Sequence, residues 1–268
     1  MRVGFVGGGV MAEAIIRGML AREVVGPGSV LVAEPVEARR QHLQQRYHVG
    51  VTADNREAAA FGELVLLAVK PQTFPEVARD LHGHLQPSQT VLSILAGTTI
   101  GSLTGGLGHR AVVRVMPNTP AQIGWGMSVW TATPQVPAAH REAARAIVRG
   151  LGEEVEVAEE KYIDMATALS ASGPAYVFLF LAALMDAGVY LGMPREMARA
   201  LVLQTVLGSA QLVKETGQHP AQLRDMVTSP AGTTIEALLT LEREGFHGTV
   251  MEAVAAAYEK ALRLGGQK

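Results

Sequence analysis

The sequence predicts an α/β protein in two parts: a sheet domain with mostly parallel strands over residues 1–160, then an all-α domain over residues 161–268. Three observations predict it. Short β-branched runs alternate with helical patterns in the first part, the signature of strand–helix–strand units. Runs such as Leu64-Val65-Leu66-Leu67-Ala68 are apolar without alternation, as in strands covered on both faces. Beyond about Glu160 the strand-like runs stop and long helical patterns take over.

Strands are expected at 3–6, 30–33, 64–68, 91–94, 112–116 and 128–130. A helix is expected over 10–22, with Met11, Ile15 and Met19 facing inward. Glu13 and Arg17 lie four apart on its other face, in the favoured acid-then-base order. In the second part helices are expected near 162–190, 195–216, 234–244 and 249–264. Pro194 suits a first helical turn and Gly217 the far end of the same helix. No charged residue occurs between Arg199 and Lys214, and apolar side chains occupy most of that helix's circumference. Such a helix is expected to be buried on nearly all sides. About a hundred residues rarely bury it alone, so a homodimer through the helical half is expected.

Composition narrows the function classes. The chain has 268 residues, 23 basic and 25 acidic, for a formal charge of -2, so no basic excess points to nucleic acid. Aromatic residues make up 5%, thin for base-stacking surfaces. There is no cysteine, which excludes disulfides and thiolate metal sites. The eight histidines show no ligand spacing, so no metal is expected, and His42, His48, His82, His84 and His109 are expected at the surface. The opening residues form a strand rather than a leader, and a reducing cytoplasm is the expected compartment. The apolar run 174–185 is far shorter than the roughly 20 residues of a membrane span, so no membrane association is expected.

Gly7-Gly8-Gly9-Val10-Met11-Ala12 fits G-x-G-x-x-A between a strand and a helix. Gly7 permits the tight turn, Gly9 lets the backbone approach a pyrophosphate, and Ala12 lets helix pack on strand. Helix N–H groups and the helix dipole then hold the anion. The first part therefore reads as a Rossmann-like dinucleotide-binding domain. The second strand ends at Ala33-Glu34, somewhat beyond the usual ribose-binding spacing of ~20 residues. A carboxylate there can accept from both ribose hydroxyls of NADH and would repel the 2′-phosphate of NADPH. Arg39 and Arg40 could offset that repulsion, so both NADPH and NADH stay open as cofactors. The turns at Val69-Lys70 and Ala96-Gly97 follow strand ends and are placed to touch the cofactor. Lys70 could be catalytic, although a lone strand-end lysine is more often a surface residue.

Three further segments stand out. Met116-Pro117-Asn118-Thr119-Pro120 closes a strand with two prolines. Ser170-Ala171-Ser172-Gly173-Pro174 interrupts a helical pattern, as a helix kink would. Ser229-Pro230-Ala231-Gly232-Thr233-Thr234 opens a helix, with Thr233 and Glu236 spaced as a capping box. Its exposed N–H groups and threonine hydroxyls would make a second anion site.

Together these segments resemble the pyrroline-5-carboxylate reductase family, whose motifs run close to M-x-N-T-P, S-G-S-G-P-A-Y and S-P-G-G-T-T. The resemblance covers essentially the whole chain in order. Ala171 and Ala231 stand where the pattern has glycine, and Ala231 would be strained if its position needs a positive φ. The resemblance implies an all-α C-terminal dimerisation domain, a site completed across the dimer and, beyond that, a pentamer of dimers. It implies cofactor contacts from Val6, Gly7, Gly8, Gly9, Val10, Met11, Glu34, Asn55, Val69, Lys70, Ala96, Gly97 and Asn118. It implies substrate contacts from Glu160, Ala231, Gly232, Thr233 and Thr234. The activity implied is hydride transfer from NADPH or NADH to the cyclic imine 1-pyrroline-5-carboxylate, giving L-proline. In that mechanism the Ala231–Gly232–Thr233–Thr234 loop holds the substrate carboxylate, Thr234 hydrogen-bonds the ring nitrogen as the catalytic side chain, and water or protonated substrate supplies the proton. Two other readings remain: a β-hydroxyacid dehydrogenase, for which Lys161 is the nearest lysine at the domain junction, and a non-catalytic nucleotide sensor.

Overall fold

A computed structural model of the chain describes residues 1–266. It contains one sheet whose eight strands among the described residues run β1 (Val3–Val6), β2 (Val30–Ala33), β3 (Gly50–Thr52), β4 (Leu64–Leu67), β5 (Thr90–Ser93), β6 (Val112–Pro117), β7 (Gly126–Ala132) and β8 (Gly152–Glu156). Their spatial order is β3-β2-β1-β4-β5-β6-β7-β8. Neighbours are parallel except β6 and β7, which are antiparallel. The helices interleaved with them are α1 (Val10–Ala21), α2 (Glu37–Tyr47), α3 (Asn55–Phe61), α4 (Phe74–Leu81), α5 (Ile100–Leu107) and α6 (Ala138–Arg149). This is the expected Rossmann-like domain.

The continuous apolar strands are explained by cover on both faces. Val3, Phe5, Leu64, Leu66, Val113 and Val115 belong to one core cluster with Ile15, Ile16 and Met19 of α1. Val6, Val65, Leu67, Val91 and Val112 belong to the other, with Phe74, Val77 and Leu81 of α4 and Leu103 and Leu107 of α5. Alternate residues of each strand thus feed opposite layers. Each fully buried Leu or Phe contributes about 1.5–3 kcal/mol.

Two strands were not expected. β3 has three residues, none fully buried. β8 reads Gly152-Glu153-Glu154-Val155-Glu156 and alternates between half-buried and exposed positions. Both lie at the edges of the sheet, where one-sided cover removes the apolar run. The acidic residues of β8 serve the arginines of α6: Arg149 pairs with Glu154 at 3.2 Å, and Arg145 pairs with Glu156. Trp130, fully buried on β7, donates its Nε1 hydrogen to Glu154 at 2.7 Å.

The Glu13–Arg17 arrangement expected on α1 is replaced by tertiary partners. Arg17 turns to the carbonyls of Ala121 and Gln122, and Glu13 to residues of α2 and its C-terminal end. His109 is buried, not on the surface, with Nε2 2.8 Å from the Gln89 carbonyl oxygen. Polar side chains with a fixed partner can be enclosed at little cost, and sequence pattern does not announce such partners.

After the sheet come α7 (Lys161–Ala166), a π-helical turn (Thr167–Ala171), α8 (Gly173–Tyr190), α9 (Arg195–Thr216), α10 (Pro220–Met226), α11 (Thr233–Arg243) and α12 (Phe246–Leu264). The chain divides into two compact units, Met1–Ser172 with the segment from Ala257 onward, and Gly173–Ala256. In the second unit α9 ends as expected at Gly217, whose φ is 65°. The expected near-complete burial of α9 is not met within one chain. Ala198 is its only buried residue, while Leu201, Leu203, Leu207 and Leu212 are 39–52% exposed. Val177, Phe178 and Leu179 of α8 are exposed as well. An apolar surface this extensive marks an interaction face.

The run 174–185 is only part of a longer apolar stretch within the helix expected near 162–190. The helical stretch Lys161–Tyr190 spans 30 residues with a mean hydropathy of 1.7 in its most apolar window, long and apolar enough by composition to cross a membrane.

Candidate active site

The turns expected to touch a cofactor leave one edge of the sheet. Val6 pairs with Ala33 and with Leu67, and Leu67 pairs with Ser93, so β1, β2, β4 and β5 end level with one another. Gly7–Met11, Glu34, Val69-Lys70 and Ala96-Gly97 all follow these ends, where open α/β sheets bind ligands.

The first of these turns has the shape its sequence implies. Gly7 adopts φ 99°, and a Cβ there would fall 2.8 Å from the Ala68 carbonyl oxygen, so only glycine fits. Its N–H donates to the Ala33 carbonyl at 2.9 Å. Gly8 is buried, whereas Gly9 and Val10 are exposed and nothing lies within 4 Å of a Cβ built on Gly9. An open backbone face therefore stands at the N-terminus of α1, where the first N–H groups lack intrahelical partners. Buried Ala12 lets α1 sit close on the sheet. These features fit a dinucleotide pyrophosphate.

Glu34 and two arginines fasten this turn. Glu34 Oε2 accepts the Gly8 N–H at 3.0 Å, and Oε1 accepts the Val36 N–H at 3.0 Å. Arg39 donates from Nε to the Gly8 carbonyl at 2.6 Å and from Nη2 to the Gly9 carbonyl at 3.2 Å. Its Nη2 also meets Glu13 Oε2 at 2.5 Å. Arg40 donates from Nη1 to the carbonyls of Glu34 and Pro35, at 2.7 and 2.9 Å. Glu13 also accepts from Tyr47 at 2.8 Å and lies 2.9 Å from His42. Burial alone would raise the Glu13 pKa. The hydrogen bonds from His42, Tyr47 and Arg39, with the Arg39 charge, outweigh it and hold the carboxyl at about 2. Burial, and then the hydrogen bond to Glu13 and the Glu13 charge, push the Tyr47 phenol up.

The remaining residues take definite places. Lys70 is exposed at the start of a 3₁₀ turn, Pro71–Thr73, and Val69 beside it is half-buried. Ala96 precedes Gly97, which adopts φ 69°, and a Cβ on Gly97 would lie 2.9 Å from that of Leu264. Asn55 opens α3 and donates to Asp80 at 3.4 Å. Asn118 accepts the Met127 N–H at 2.9 Å and donates to the carbonyl and hydroxyl of Ser170 at 3.3 and 3.4 Å. It thereby ties the start of the β6–β7 connection to the π-helical turn. That turn, closed by Ser172 N–H to the Thr167 carbonyl at 2.9 Å, is what the small-residue interruption encodes in place of a simple kink.

Glu160 precedes α7 and is half-buried. Its Oε1 accepts the Ile100 N–H of α5 at 2.7 Å and an Arg114 N–H at 2.6 Å. Arg114 lies on β6, is 1% exposed, and also donates to Asp164 Oδ1 at 2.7 Å. Asp164 Oδ2 is buried with no hydrogen-bond partner. Arg114 and Asp164 are not among the site residues expected from the sequence. A lone arginine inside Val112-Val113-Arg114-Val115 was the available signal, since a charge in a central strand requires a partner. Glu160 and Asp164, four apart on one helix face, supply it.

In the helical unit, Ala231, Gly232, Thr233 and Thr234 form one turn into α11. Ala231 adopts φ 57°, the strained conformation foreseen for an alanine in a glycine position. Gly232 is the N-cap and no side chain caps the helix, so the expected Thr233–Glu236 capping box is not formed. The reason is positional: Thr233 is the first helical residue rather than the cap. The leading N–H groups of α11 thus remain open to an anion.

Comparison with known proteins places these features. The family model described as pyrroline-5-carboxylate reductase dimerisation matches residues 160–264, and the one described as NADP oxidoreductase coenzyme F420-dependent matches residues 2–97. A pyrroline-5-carboxylate reductase from Synechocystis is 46% identical over 265 residues, covering 99% of this chain and 98% of that protein. The structure of a pyrroline-5-carboxylate reductase from Coxiella burnetii superposes with a TM-score of 0.90 at 35% identity, covering 100% of this chain and 98% of that one. A pyrroline carboxylate reductase structure from Plasmodium falciparum with NADP bound has a TM-score of 0.90 at 34% identity, covering 99% of this chain and 98% of that one. With identity this high along nearly the full length, and the glycine turn, the small-residue π turn and the Ala231–Thr234 loop all in place, the chain belongs to the pyrroline-5-carboxylate reductase family.

Proposed function

We propose that this chain reduces 1-pyrroline-5-carboxylate to L-proline, with NAD(P)H held by the Gly7–Met11 turn and its neighbours at the sheet edge. The observation that carries this reading is a pair of anion-ready helix starts: α1 behind the glycine turn and α11 behind Gly232. The bound dihydronicotinamide would supply the hydride. We assign Val6, Gly7, Gly8, Gly9, Val10, Met11, Glu34, Asn55, Val69, Lys70, Ala96, Gly97 and Asn118 to the cofactor side. Asn118 acts there by bracing the β6–β7 connection, since its side chain is taken up by Met127 and Ser170.

The substrate carboxylate fits the open N–H groups of the Ala231–Thr234 turn, with Thr234 hydrogen-bonded to the ring nitrogen. A threonine hydroxyl is too weak an acid to protonate the imine unaided, so water or already protonated substrate supplies that proton. The chain's contribution is then orientation, with reacting carbons held about 3–3.5 Å apart. Glu160 acts through Arg114 and the Ile100 N–H rather than as a free carboxylate.

The exposed apolar faces of α8 and α9 fit a homodimer. A pentamer of dimers and a cytoplasmic location complete the proposal, the apolar stretch Lys161–Tyr190 being accounted for by subunit contact. We place the functional boundary at residues 160/161, where the dimerisation model begins. A hydroxyacid dehydrogenase would need a proton-transferring lysine. Lys161 is instead exposed and held by Glu159 at 2.8 Å, which with the Glu159 charge raises its pKa.

The test is the loss of NAD(P)H absorbance on adding 1-pyrroline-5-carboxylate, with a β-hydroxyacid and NAD(P)⁺ as control. Turnover of the imine is expected, and Thr234→Ala should lower it with cofactor affinity nearly unchanged. Cofactor binding without imine turnover would favour a nucleotide sensor.

A further inference from the structure

We propose that Glu34 makes this chain prefer NADH to NADPH. It does so by fixing a carboxylate at the ribose position while the two arginines beside it are turned to the main chain. This rests on the reading above, that the Gly7–Met11 turn holds a nicotinamide dinucleotide.

Three observations carry it. Glu34 follows the end of β2, level with the end of β1, which is where a dinucleotide's adenosine ribose meets an open α/β sheet. Its carboxylate is not free to swing away from a phosphate, because each oxygen accepts a different backbone N–H, Gly8 for Oε2 and Val36 for Oε1. The two arginines beside it are already held by acceptors of the protein itself. Arg39 grips the Gly8 and Gly9 carbonyls and Glu13, and Arg40 grips the Glu34 and Pro35 carbonyls. A 2′-hydroxyl can donate to a carboxylate. A 2′-phosphate brings up to two negative charges to the same point, and two like charges close together at a protein surface repel.

The same geometry separates charge from scaffold. Glu34→Gln keeps one oxygen to accept the Gly8 N–H but removes the negative charge. Glu34→Asp keeps the charge but shortens the reach.

The measurement is dissociation constants for NADH and NADPH, read by quenching of protein fluorescence without substrate, at ionic strengths from low to about 0.5 M. The wild type is expected to bind NADH at least about 10-fold more tightly at low salt. The ratio should narrow as salt rises, because screening shortens the reach of the repulsion. Glu34→Gln should tighten NADPH by about 10-fold relative to NADH, and Glu34→Asp should keep the wild-type preference. Equal or tighter NADPH binding by the wild type would overturn the proposal. So would a Glu34→Gln ratio unchanged from wild type, or a wild-type ratio indifferent to salt. The salt series needs no variant, so a poorly folded Glu34→Gln leaves the test intact. Because binding is read without imine, loss of reductase activity alone would count against the proposed function and not against this preference.

Discussion

Asp164 Oδ1 accepts a hydrogen bond from Arg114 Nη2 at 2.7 Å, with both side chains nearly sealed from solvent at 3% and 2% exposure. The bond joins the middle of β6 to α7, and through Glu160 it also reaches the first turn of α5. A guanidinium buried this way is stabilising only while its carboxylates remain. Asp164→Ala is expected to cost about 3–5 kcal/mol in urea unfolding at fixed protein concentration, as for other broken buried ion pairs. Replacing both partners, Arg114→Met with Asp164→Leu, should cost clearly less than either single change. Additive losses would mean that the two side chains do not act as a pair.

Ala231 occupies left-handed backbone at φ 57° where a β-carbon costs roughly 1–2 kcal/mol. Ala231→Gly relieves that strain but adds freedom to the unfolded chain, worth about 0.4–1 kcal/mol the other way. The net change should lie between zero and a gain of about 1.6 kcal/mol. Ala231→Val, β-branched at the same angle, should lose about 2 kcal/mol by the same urea measurement. A stable valine variant would show that the loop relaxes out of this conformation.

The Glu13 carboxyl has a folded pKa of about 2 against an ordinary 4.5. A depressed acid stabilises the fold fully above its unfolded value, and that stability is lost as pH falls from about 4.5 toward 2. Glu13→Gln should therefore lose on the order of 1 kcal/mol at pH 7, discounted because the side chain is 22% exposed, and show a flatter decline between pH 4.5 and 2. Parallel acid-unfolding curves for variant and wild type would contradict the role given to Arg39, His42 and Tyr47.

The legible parts of the molecule were those whose physics is local or periodic. Gly7 makes a turn that only glycine can make, Gly9 leaves the open approach expected of it, and the two-sided strands β1 and β4 announce themselves as unbroken apolar runs. Gly217 shows the conformation its residue type implies, and Ala231 the positive φ of the glycine position it occupies. The edge strands β3 and β8 escaped because a strand covered on one side, or built from glutamates, carries no apolar run. Arg114, Asp164 and buried His109 escaped because their partners are 50 and 20 residues away in sequence. The missing capping box shows the limit of spacing arguments. Thr233 and Glu236 have the right separation, yet the helix starts one residue too early for Thr233 to be its cap. The apolar girth of α9 was plain, but its meaning lies in a second copy of the chain rather than in one fold.

The central claim is direct reduction of a cyclic imine by a dihydronicotinamide held at the Gly7–Met11 turn. The sharpest test uses NADH carrying deuterium at both C4 positions, with 1-pyrroline-5-carboxylate in ordinary water and the product read by mass spectrometry and NMR. The account predicts L-proline with one deuteron on the ring carbon bonded to nitrogen and remote from the carboxylate. Proline without deuterium, or cofactor oxidation with no proline formed, would contradict it.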